Sequence, residues 1–294
     1  MKKISIRILI LFSLLSCYKK EHVETEPGEP KYKIENGPHE LDRYIYEFYR
    51  KYKVFMLYEY ASLDWRWDMT SYTDNLLVKQ RDKEVVMSAI PYVETVVLNP
   101  YSDDFKRRYF PFKILLADSV NYRSLTREYR DLPVSGGTSY MAIGHIRRAT
   151  DTVSPRTLYR RRGDVAAHIM ANHLYALEMI DFPKAFFEIS DNMHGINMLE
   201  LDENKGKPKE EVDIRNYGFW AADERYISGK TYMMSPDKTY DLWQFVHMIT
   251  THDVEEMTAY MKPYKKMRLK YSLLTEYFKK IGVDLQTIGN DKLE

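Results

Sequence analysis

Gly163-Asp164-Val165-Ala166-Ala167-His168-Ile169-Met170 is the stretch on which the reading of the fold turns. Its apolar spacing predicts a helix over Val165–Ile180, stopped near Pro183. Val165, Ile169 and Leu174 fall on one apolar face. Asp164 and His168 are four residues apart and share a face, the i, i+4 geometry a metal pair needs. His168 and His173 are five apart, about 140° around a regular helix, and do not. Each residue also has a plain structural reading. Asp164 after Gly163 suits a helix N-cap, and His168 suits a part-buried, hydrogen-bonded histidine.

Outward from that helix, the elements order as mixed sheet and helix first, mostly helix afterwards. Leu41, Tyr44, Ile45, Phe48 and Tyr49 keep helical spacing, and Val54–Tyr58 reads as a buried strand. A helix is expected over Val85–Leu98, ended by Asn99-Pro100. Phe112–Ala117 and Tyr140–Ile143 read as strands, with a turn at Ser135-Gly136-Gly137. Glu200–Glu211 is polar and reads as a surface loop. Ser235-Pro236 opens a helix to about Thr250. Asp253-Val254-Glu255-Glu256 carries a capping-box pattern for the next helix, and the last runs to Ile281 before Gly282. No internal repeat is visible. The expected class is α+β, with a mixed α/β N-terminal lobe and a mostly helical C-terminal lobe.

The N-terminus carries an export pattern. Lys2, Lys3 and Arg7 precede the apolar run Ile8–Leu15, which is too short to span a bilayer but long enough for a signal-peptide core. Leu14-Leu15-Ser16-Cys17 resembles a bacterial lipobox, which implies cleavage before Cys17 and lipidation of its thiol. The expected organisation is a signal peptide over 1–16, a Pro- and Gly-containing tether over 17–38 and a folded domain over 39–294. The lipid would then be the membrane anchor. The expected place is the cell envelope, most simply the outer membrane on its periplasmic face or at the cell surface.

Cys17 is the one cysteine in the sequence, so its acylation leaves no thiol for a disulfide, a metal or a nucleophile. Removing residues 1–16 takes three basic side chains from 44 basic and 43 acidic, which leaves two more acidic than basic. That balance argues against nucleic acid as a partner. Roughly 275 remaining residues suffice for a large core. The 25 Tyr and 12 Phe fit amphipathic packing or a groove for a sugar or peptide. Trp65, Trp67, Trp220 and Trp243 suit either core or groove wall, and Arg160-Arg161-Arg162 reads as a solvated charge run with some capacity for a carboxylate or a lipid phosphate.

No HExxH, GxSxG or P-loop motif occurs. The stretch 163–170 nevertheless resembles the metal helix of lipoproteins from gut-type Bacteroidetes described as zinc-binding metallopeptidases or substrate-import-associated zinc metallohydrolases. In that family the helix carries HExxH followed by Ile-Leu. Asp164 stands at the first His, Val165 at the Glu and His168 at the second His, with Ile169-Met170 continuing the pattern. The family's second block, roughly Glu-Asp-Phe-Ala-Glu, resembles Tyr240-Asp241-Leu242-Trp243-Gln244, with Gln244 at the third ligand. Val54–Asp68, Pro91–Tyr101, Gly136–Gly144, Tyr217-Gly218-Phe219 and Tyr277–Leu285 also resemble family blocks, so the likeness runs through nearly the whole mature chain and is weakest at the metal constellation.

The resemblance implies a zincin-like metallopeptidase scaffold with a vestigial metal site at Asp164, His168 and Gln244. A catalytic zinc needs three protein ligands and an open position for water. Gln244 offers a neutral amide, and Val165 has no proton acceptor, whose loss costs about 10²–10⁴ in rate. No catalytic residue is assigned and no cofactor is expected, zinc being at most a weak occupant. The leading expectation is an anchored binding or accessory protein beside an outer-membrane importer component, with a peptide or glycan ligand. Two other readings stand beside it. One is an active hydrolase using Asp164, His168 and one of His145, His173 or His247, with Asp241 as base. The other is a structural envelope protein whose cleft is filled by side chains.

Overall fold

The central strand of the sheet is built from the most apolar run of the middle chain. In the computed structural model, which describes residues 31–65, 75–123, 129–148 and 153–293, Ile114, Leu115, Leu116 and Ala117 are fully buried in β3 (Lys113–Arg123). Strands covered on both faces read as continuous apolar runs rather than alternating ones. β1 (Phe55–Leu57) lies parallel to β3 on one side, and β6 (Tyr140–Ile143) lies parallel on the other, with Ile114 opposite Met56 and Met141. β5 (Val134–Gly137) pairs antiparallel with β6 and ends the order β1-β3-β6-β5. β2 (Asn75–Lys79) and β4 (Tyr129–Asp131) pair antiparallel with the far half of β3.

Helices cover this sheet. α1 (Glu40–Tyr52) starts at His39, whose ring accepts from Leu41 N–H, and buries Leu41, Ile45, Phe48 and Tyr52. α2 (Lys83–Ser88) and α3 (Ile90–Val93) follow, and α3 widens into a π-helical turn over Glu94–Leu98. The single helix expected over Val85–Leu98 is therefore three pieces, interrupted where Pro91 removes a backbone donor. α4 (Asp103–Tyr109) is capped by Ser102 and leads into β3.

α5 (Pro155–Ala167) continues without a break as a π-helical segment, His168–Tyr175. It begins ten residues before the expected start, with Ser154 as N-cap and Pro155 in the first turn. Asp164 is thus inside the helix, and the N-cap reading of it is corrected. The short α6 (Ala185–Glu188) precedes an exposed hairpin, β7 (Asp223–Ile227) and β8 (Lys230–Met234), turned at Ser228-Gly229 with both residues at positive φ.

α7 (Lys238–Thr250) is capped by Asp237 rather than by Ser235, and it ends at the expected Thr250. α8 (Val254–Met261) opens on the capping box of Asp253 and Glu256, with both reciprocal bonds formed. α9 (Lys265–Lys280) stops before Gly282, whose φ is +97°, and α10 (Leu285–Asn290) closes the chain. The chain divides into 1–33, of which residues 31–33 are described, and Ile34–Glu294. Within the second unit the main apolar core runs from Leu41 to Ile288 and takes in both expected lobes, and a smaller cluster gathers Met198, Val212, Ile214, Phe219 and Met233. Of the described residues, no helix is long and apolar enough to cross a membrane. Cys17 and the signal-peptide segment lie outside the described residues, as do Arg66, Trp67 and Asp68.

Candidate functional site

Two helices and one edge strand frame the residues singled out by sequence. α5 and α7 pack closely because Gly163 has no side chain: a Cβ there would fall 2.2 Å from Thr251 Cγ2. The contact brings Asp164 Oδ1 to 3.2 Å from His247 Nε2, with the two side chains about one-fifth exposed (21 % and 20 %). His247 in turn stacks on Trp243, ring centroids 4.8 Å apart and planes at 10°. Tyr240 stacks on the other side of Trp243 at 5.7 Å. The aromatic residues of α7 thus form a column along the helix that ends at the Asp164–His247 pair.

One turn along α5, His168 points at the edge strand. A Cβ on Gly136 of β5 would lie 2.4 Å from His168 Nε2 and 2.9 Å from the Tyr140 carbonyl oxygen. The Gly136-Gly137 pair was expected as a turn. It is the second half of β5, and the absent side chain is what lets the π segment approach the sheet. Burial, with a smaller contribution from His173, lowers the His168 pKa to about 4, so the ring is neutral at neutral pH. The π geometry also corrects the separation of these two histidines. Hydrogen bonds from i to i+5 bring residues five apart toward one side of the helix, and His168 and His173 sense each other. His173 is buried, and burial lowers its pKa as well.

The remaining positions are engaged elsewhere. Val165 is fully buried in the core. Gln244 is buried, and both ends of its amide are closed on one residue. Ala221 N–H donates to Gln244 Oε1 (3.3 Å), and Gln244 Nε2 donates to the Ala221 carbonyl (3.2 Å). His145 sits at φ +64° after β6, with Nδ1 3.3 Å from Asp131 Oδ2. Burial and the nearby Arg161 lower its pKa to about 4.

Asp241, considered from sequence as a substitute base, is fully buried and already bound. Lys270 Nζ donates to its Oδ2 at 2.6 Å, and His194 Nε2 lies 2.9 Å from the same oxygen. Lys270 is itself fully buried, with Phe186, Phe219 and Phe245 rings 4.7, 4.7 and 5.3 Å from its Nζ. Burial lowers the Lys270 pKa, and Asp241 opposes that shift. This arrangement is a structural tie between α7 and α9, and the role of Asp241 as cleft base is withdrawn. The Arg160-Arg161-Arg162 run is corrected in part. Arg160 is exposed, but Arg162 is 2 % exposed and holds Asp291 Oδ2 (2.6 Å) and the Ile288 carbonyl (2.7 Å), while Arg161 rests on the Tyr92 ring.

A zinc ion needs three converging donors at roughly 2.0–2.2 Å. Among the described residues no group of three or more His, Cys, Asp or Glu side chains is placed to hold one. Asp164 and His247 make a pair, His168 Nε2 is packed against the strand backbone, and the Gln244 amide is committed to Ala221. Among the described residues, this donor set does not make a three-ligand zinc site.

No family model and no curated protein matches the chain. Among solved structures, the chain is similar to one from Bacteroides caccae described as a "putative zinc-binding metallo-peptidase". The TM-score is 0.49 and the identity 14 %, covering 86 % of this chain and 92 % of the other.

Proposed function

We propose that this protein is a lipid-anchored envelope protein with a metallopeptidase-like cleft that binds its ligand without cleaving it, beside an outer-membrane importer. The observation that carries the reading is the fate of the helix 163–170. Asp164 is occupied by His247, and Val165 is buried where a proton acceptor would have to face a water. A cleft with Val165 at the position of the acidic residue supplies binding energy but no general-base step from that position.

The ligand favoured is an extended peptide. β5 stands last in the strand order of the sheet among the described residues, and His168 packs over its Gly136. A terminal strand of a sheet accepts a peptide by adding it as a further strand. The lipobox and the order of family-like blocks support the anchor and the import setting.

The test is incubation of the purified protein with a mixed peptide library, read for both retention and cleavage. Retention of peptides at unchanged length, with or without a chelator, is expected. Cleavage that a chelator abolishes would overturn the reading in favour of an active hydrolase.

A further inference from the structure

A cavity of about 400 Å³ opens at the N-terminal side of Asp164, between α3, the chain leaving β6, and α5. That volume is in the range of small-molecule pockets. Pro91, Tyr92, Val153 and Leu158 give it apolar walls. Arg161 lines it from α5, on the helix face that also carries Asp164 and His168 at spacings of three and four residues.

The charges around the cavity are unequal in their freedom. Arg147 is held by Asp131 at 2.9 Å and by Asp118 at 3.6 Å, and Arg148 lies 3.8 Å from Asp82. His145 is neutral at neutral pH, because burial and Arg161 both oppose its protonation. Arg161 is the exception. Among the described residues no carboxylate lies within ion-pair distance of it, and its guanidinium rests on the Tyr92 ring, 5.7 Å from the centroid. The Tyr92 hydroxyl is enclosed, and the Arg161 guanidinium is its cationic neighbour. A largely apolar cavity therefore holds, beside an enclosed hydroxyl, a guanidinium that no carboxylate among the described residues neutralises.

We propose that this cavity binds a carboxylate carried on an apolar body, its anionic end taken by Arg161 and Tyr92 and its apolar part by the walls around Pro91 and Leu158. A carboxylate matches a guanidinium through two parallel hydrogen bonds. A dianionic phosphate fits less well, because a single positive charge is unmatched and Asp131 stands at the same cavity edge. The proposal deepens the binding reading above and rests on it only in taking this end of the cleft as a ligand site. Two sources offer the chemistry, the C-terminus of a peptide ending in an apolar residue and a free fatty acid.

The experiment is calorimetric titration of the purified protein with acetyl-Ala-Ala-Leu as the free acid, the same peptide as its C-terminal amide, and octanoate. The free acid is expected to bind at least about tenfold more tightly than the amide, and Arg161→Gln to lose the same factor. Octanoate binding as well as the peptide acid would assign the lipid source, and binding of the peptide acid alone the peptide source. A thermal melt of Arg161→Gln matching the wild type separates loss of the site from loss of the fold, and Leu158→Glu, which puts a carboxylate one turn from Arg161 on the same helix face, should abolish binding independently. Equal affinity for acid and amide, undiminished binding by Arg161→Gln, or no binding of any probe would overturn the proposal. Peptides held elsewhere along the cleft without regard to their terminal carboxylate would still leave the broader binding reading intact.

Discussion

His247 Nε2 and Asp164 Oδ1 meet at 3.2 Å across the contact between α7 and α5, and they do so because Gly163 brings the two helices together. Asp164 is thereby half of an interhelical pair. The pair is partly exposed, so its worth is modest. A double-mutant cycle of Asp164→Ala and His247→Ala, read by urea unfolding near neutral pH, should give a coupling of about 0.5–1 kcal/mol. Strict additivity of the two substitutions would contradict the contact.

The approach of His168 to β5 depends on a missing side chain. Gly136→Ala should destabilise the protein by about 1–3 kcal/mol, through overpacking against His168 Nε2 and the Tyr140 carbonyl. Trimming the ring in the double variant Gly136→Ala/His168→Ala should recover about 1 kcal/mol relative to the sum of the single changes. If Gly136→Ala is neutral in denaturant melts, the strand and helix are not in the contact described.

The Asp241–Lys270 tie is costly to break and less costly to replace. Lys270→Met alone leaves a fully buried carboxylate without its cation, beside His194, and should cost about 3–5 kcal/mol. The joint variant Asp241→Leu/Lys270→Met should be more stable than Lys270→Met in the same denaturation assay. A joint variant less stable than either single one would show that His194 and the lysine do more than neutralise a charge.

Stability should fall on mild acidification. His168 and His145 titrate near pH 4 in the folded protein and near 6.5 when unfolded, so between these values the unfolded chain binds more protons. Each contribution is complete above about pH 6.5 and is lost as pH falls to about 4, for roughly 2–3 kcal/mol per ring. His168→Leu should flatten this dependence in urea melts between pH 7 and 4.5. A variant that keeps the full wild-type slope would place the effect elsewhere.

How much of this was legible varies with the range of the interaction. Tyr140–Ile143 and the Asp253–Glu256 capping box were readable because their causes lie within a few residues. The start of α5 was also encoded locally, in Ser154-Pro155, but the arginine run that follows reads as solvated surface. Arg162 is buried because Ile288 and Asp291 reach it from 126 and 129 residues away, and no local pattern carries that. β5 was taken for a turn because Gly136-Gly137 has no strand propensity of its own, and pairing with β6 makes it a strand. The exposed hairpin β7–β8 had a usable signal in Ser228-Gly229 between alternating residues. At the site, the i, i+4 spacing of Asp164 and His168 on a helix was legible but the start of that helix was not, and their partners His247 and Gly136 are set by tertiary packing.

The most direct measurement is the zinc content of the purified protein after expression with added zinc, for the wild type and for Asp164→Ala and His168→Ala. A cleft of this construction should retain well under one zinc per chain, with no difference among the three proteins. One zinc per chain in the wild type, lost in either variant, would contradict it.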